Sequence, residues 1–156
     1  MKKMLIGTLS VVLMVALAAC APAQSASKRV EGELSELFVK IYDNAGVEAP
    51  MTMEMALNDE NKAGMLGTAD VTFAEGLASE AAIMTIPHSM VLLRVAEGAD
   101  VEKTKQLIRD NANPRKWICV GVEADQVIVD SIGDLVFFVM SADADAYHKS
   151  FLKLGE

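Results

Sequence analysis

The chain has 156 residues and a formal charge of −8 at pH 7, of which residues 1–19 form an apolar leader whose only charges are Lys2 and Lys3. The other 137 residues suit one domain and carry 22 acidic against 12 basic side chains, a charge of −10. That acidity excludes nucleic acid as a partner, two cysteines exclude a disulfide framework, and two histidines leave little for a metal cage.

Lys2-Lys3, the apolar run from Met4 to Leu17 and the small Ala18 and Ala19 are the three parts of an export signal, too short for a membrane span. Leu17-Ala18-Ala19-Cys20 reads as a lipobox, in which the Cys20 sulfur takes a diacylglyceryl group as a thioether and cleavage leaves that cysteine first. The alternative is an ordinary signal peptide cut after Ala19 or Ala23. Two acyl chains, at about 0.8 kcal/mol per buried methylene, hold firmly where one binds reversibly. Residues 21–27 are small, polar and proline-containing, so they read as a tether, and ten such residues span about 35 Å at most. The expected organisation is a lipoprotein signal peptide over 1–19, a lipidated cysteine and flexible tether over 20–30, and a single α+β domain over 31–156. The expected location is the extracytoplasmic face of the cell membrane.

Leu34, Leu37, Phe38, Ile41 and Tyr42 follow helical spacing, which predicts an amphipathic helix over 31–44. Residues 47–68 are ambiguous: Met51, Met53 and Met55 alternate like a strand, while Pro50, Glu54 and Leu57 also suit a short helix. A strand is expected near 69–74, and the alanine-rich 78–84 reads as helical or irregular. Met90–Val95 reads as a strand, Asp100 as the N-cap of a three-turn helix ended by Asn113-Pro114, and 126–130 with 135–140 as a hairpin turning at Gly133. A last helix, capped by Ser141 or Asp143, buries Tyr147, Phe151 and Leu154. The fold class this predicts is α+β, two-layer, with helices on one face of a mainly antiparallel sheet, ferredoxin-like or permuted ferredoxin-like.

Ser89 to Asp100, Asn113-Pro-Arg-Lys-Trp-Ile-Cys119 and Val127-Ile-Val-Asp-Ser-Ile-Gly-Asp134 with the apolar strand to Ser141 resemble an uncharacterised family of small Gram-positive bacterial lipoproteins, a domain of unknown function. The resemblance covers about residues 34–154. It implies a small exported domain behind a lipobox, and it implies no activity and no catalytic residues.

Among candidate sites, Cys119 between Ile118 and Val120 reads as buried packing. His88 and His148 stand sixty residues apart with no metal-ligand spacing, and His88 after Pro87 reads as a loop residue. Met51-Thr-Met-Glu-Met55 suits Cu(I) in softness, though methionine is also a flexible core filler. Asn58-Asp59-Glu60-Asn61 lacks the calcium-loop pattern. Arg115, Lys116 and Trp117 form a ligand or partner contact if the indole is exposed, and a core anchor with outward cations if it is buried. No catalytic residue, cofactor or metal is expected. The expected function is a membrane-anchored, non-catalytic accessory or binding module with an envelope protein or small ligand as partner. The alternatives are an extracytoplasmic hydrolase with a spatially assembled acidic site, and methionine-based Cu(I) binding.

Overall fold

The computed structural model describes residues 29–156; the leader, Cys20 and the tether before Arg29 lie outside the described residues. Its elements in chain order are α1 (Leu34–Ala45), β1 (Thr52–Ala56), α2 (Lys62–Leu66), β2 (Glu75–Ala81), β3 (His88–Arg94), α3 (Val101–Asn111), β4 (Val127–Ile132), β5 (Leu135–Ser141) and α4 (Ala144–Leu152). The five strands form one sheet in the order β1-β2-β3-β5-β4, with every neighbouring pair antiparallel. β3 and β4 therefore run parallel with β5 inserted between them, and α3 crosses from one to the other as in a split β-α-β unit.

The α+β class and the antiparallel sheet are as the sequence predicts, but helices cover both faces rather than one. β3 and β5 are buried at every position, so both sides of their pleat need a cover. Met90, Leu92, Leu135, Phe137 and Val139 face α1 and α4, against Leu37, Phe38, Tyr147 and Phe151. Their neighbours Val91, Leu93, Val136, Phe138 and Met140 face the other way, under Leu66 of α2, Ile108 of α3 and Trp117 of the α3–β4 connection. The periodic segments of α3, β4, β5 and α4 lie where their spacing predicts, and Asp100 caps α3 by accepting the Lys103 N–H at 3.0 Å. The hairpin turns on Gly133-Asp134, where Gly133 at φ +61° takes the positive φ that a two-residue turn demands.

β2 departs from expectation: it occupies 75–81, overlapping the 78–84 stretch read as helical or irregular, while the strand expected near 69–74 is irregular chain leading into it. Packing overrides alanine's weak strand preference here, because little room exists between neighbours. Ala78 is fully buried opposite Val91, and a Cβ on Gly76 would come within 2.9 Å of the Leu93 side chain. The domain also starts earlier than the tether boundary, for Val30 is already buried.

Candidate functional site

β1 is an edge strand and carries the exposed methionines. Met51 and Leu57 direct their backbone groups at β2, through Ala82 N–H to Met51 C=O at 2.8 Å and Leu57 N–H to Gly76 C=O at 2.9 Å. By the alternation of antiparallel ladders, Thr52 and Glu54 then turn their N–H and C=O outward. Ala56 turns outward too, but its carbonyl is capped by the Asn61 side-chain amide at 2.9 Å. Met51, Met53 and Met55 share the face on which α3 lies, and the first two are 76% and 61% exposed. Ile83, Met84 and Ile86 of the β2–β3 turn extend the apolar surface beside Met51. The core-filler reading of these methionines is therefore wrong; strand alternation on a sheet edge places them in solvent. One straight strand also separates Met51 from Met55 by about 13 Å, so only neighbouring thioethers can share one Cu(I) ion.

Lys116 turns inward onto the same side of the sheet. Its Nζ donates to Glu80 Oε1 and to Ser89 Oγ, each at 2.9 Å, while the Ser89 hydroxyl donates to Glu80. Both charged side chains are largely buried. Trp117 is only 8% exposed and packs in the core, with the Lys116 ammonium 5.4 Å from its ring centre. Of the expected contact corner, Arg115 alone stays at the surface, paired with Glu123 at 3.6 Å. Cys119 corrects another expectation: it is exposed rather than buried packing, at φ +63° in the irregular loop 112–123 beside the exposed Ile118.

On the opposite face of the sheet lies a histidine network. His88 is the first residue of β3 and 1% exposed, not a loop residue. Its Nε2 meets the Tyr42 hydroxyl at 2.8 Å, its Nδ1 meets Ser141 Oγ at 3.1 Å, and Tyr42 continues to Ser79 Oγ at 2.9 Å. Burial, aided by the Lys116 charge, lowers the imidazole pKa to about 4, so it is neutral at pH 7. The chain of groups resembles a serine–histidine relay, but Ser141 is 4% exposed and its oxygen already accepts the Asp143 N–H at 3.3 Å. The network ties α1, β2, β3 and β5 together, and both His88 and Ser141 reach the wall of an open cleft. That cleft has a volume of about 370 Å³, with Glu48 and Asp143 also among its walls.

Sequence spacing hid two further clusters because their members are far apart along the chain. Arg94 donates to the carbonyls of Val30 at 2.9 Å and Gly32 at 2.6 Å and pairs with Glu75 at 3.5 Å, so the chain enters the domain at the end of β3 opposite His88. Asp130 accepts from His148 Nε2 at 2.7 Å, with Lys105 at 3.8 Å. Burial works to raise the Asp130 carboxyl, and the His148 and Ser131 hydrogen bonds with the His148 and Lys105 charges more than offset it, leaving it below the usual range. Among the described residues, no group of three or more His, Cys, Asp or Glu is placed to hold a metal, and no helix is long and apolar enough to cross a membrane.

No family model matches the chain, and no curated protein and no solved structure matches it either.

Proposed function

We propose that this chain is a lipid-anchored, extracytoplasmic binding module, an accessory protein without a reaction of its own. Lipid on Cys20 ties it to the outer face of the cytoplasmic membrane, in keeping with the small Gram-positive lipoproteins that its sequence resembles. One observation carries the binding half of the reading: the outward backbone of β1 and the exposed Met51, Met53 and Met55 lie together on one sheet edge. The position of that edge supports it further. The chain enters the domain at Arg94, while Met51 and the Ile83–Ile86 turn lie at the other end of the strands, about 20 Å away for seven residues. A tether that pulls at one end leaves the other free to meet a partner. Expression of the full chain in a bacterial host with labelled palmitate tests the anchor. The parent should take up label and sediment with membranes, and Cys20→Ala should do neither. A Cys20→Ala chain that still carries label overturns the anchor.

A further inference from the structure

We infer that the β1 edge takes, as a sixth strand, an extended peptide segment in which basic and apolar side chains alternate, a partner class that rests on the edge being the binding surface. Backbone geometry supplies the affinity. Thr52 and Glu54 each offer one N–H and one C=O to an added strand, while the Asn61 amide on the Ala56 carbonyl marks where pairing stops. Side-chain alternation supplies the pattern. Residues of the added strand on the α3 side stand beside Met53 and Met55, where apolar groups pack well against flexible thioethers. Residues on the other side stand beside Thr52 and Glu54 and approach the cleft walled by Glu48 and Asp143.

Charge selects the sign. Glu48, Glu54 and Asp143 are all exposed, whereas the cations nearest the edge are already engaged, Lys62 by Asp59 at 2.7 Å and Lys116 by Glu80 at 2.9 Å. A second copy of this chain would bring another −10 against the first, and an anionic bilayer meets the same repulsion. A lysine- or arginine-bearing strand meets none of it.

The test uses the full chain in neutral detergent, titrated with a nine-residue peptide alternating lysine and leucine, and with its counterpart bearing glutamate for lysine. The lysine peptide should bind at least roughly tenfold more tightly, the sum of a few exposed charge pairs. Glu54→Pro removes an outward N–H that β2 does not use, so the sheet tolerates it as edge strands tolerate proline. It should weaken binding roughly tenfold beyond the control Glu54→Gln, which loses the charge alone. If the glutamate peptide binds equally and Glu54→Pro still weakens both, the edge is the surface and the charge class is wrong. If binding ignores Glu54→Pro, or neither peptide binds, the edge itself is wrong. Concentration-dependent dimers of the protein alone, or retention on phosphatidylglycerol vesicles by Cys20→Ala protein, would instead name a second copy or a bilayer as occupant and overturn the proposal.

Discussion

At the β4 edge the outward carbonyl of Val129 receives the Arg109 guanidinium of α3 at 2.8 Å, and the outward N–H of Ser131 is taken by Asp130 Oδ1 at 2.8 Å. At the β1 edge α1 reaches only the Thr52 side chain, through Tyr42: Thr52 and Glu54 turn their backbone groups away from β2, and the methionines beside them are exposed. Open strand edges invite pairing with other chains, and proteins generally block them. One fold that closes one edge with side chains and lines the other with thioethers has separated a protected side from a contact side. The ionisable groups sit differently as well. The neutral histidine is buried in the central strand β3, and the ion-paired Asp130 lies on the closed edge strand β4.

The difference between these two groups gives the largest expected effect. An unfolded histidine takes its proton near pH 6.5, while the folded His88 resists until about 4. The unfolded state therefore binds more protons between those values, and stability falls as pH drops from 6.5 to 4, by about 3 kcal/mol at the lower limit. Urea midpoints at pH 7, 5.5 and 4 should show this loss in the parent and a nearly flat profile in His88→Gln. Asp130 acts in the same sense but at lower pH, for a lowered carboxyl pKa gives stability that is complete at neutral pH and fades only as pH falls through the ordinary carboxylate range and below. His148→Ala should leave the loss between pH 6.5 and 4 in place. If His88→Gln keeps that loss, the imidazole does not control it.

A smaller effect belongs to the clamp beneath the methionines. Lys116→Met removes the cation from a Glu80 carboxylate that is 17% exposed in its side chain, so the cost is about 2 kcal/mol, less than for a fully enclosed pair. Adding Glu80→Gln should recover at least half of that loss in urea melts, because the stranded charge is then gone. Equal stabilities for the single and double variants would show that the ammonium contributes by packing alone.

Which parts were legible follows from what each residue answers to. α3, β4, β5 and α4 answer to their own periodicity, and Asp100, Gly133 and Phe137 could be placed from local spacing. β2 answers to its neighbours, since Gly76 and Ala78 are strand residues only because Leu93 and Val91 press on them. The methionines answer to position in the sheet: the same alternation is core in a central strand and surface in an edge strand, and sequence does not say which strand is last. Lys116 and Glu80 are 36 residues apart, and Lys105 and Asp130 are 25 apart, so no motif links either pair. The Lys–Trp pair was visible, but its inward turn depends on a carboxylate from β2.

The smallest effect tests the closed edge itself. Arg109→Ala withdraws one charge-assisted hydrogen bond from Val129, worth about 1 kcal/mol on a half-buried edge strand. The Ser131 N–H keeps its Asp130 partner in that variant, so β4 should remain unattractive to another chain. Arg109→Ala with Asp130→Ala frees both backbone groups, and sedimentation at rising concentration should then show association that neither the parent nor Arg109→Ala shows. Stability alone does not separate the two variants, because Asp130 also carries the His148 contact. Association does, since it reads the edge rather than the core. If the double variant stays dispersed, side-chain capping is not what guards β4, and the contrast with β1 reduces to which edge α3 happens to overlie.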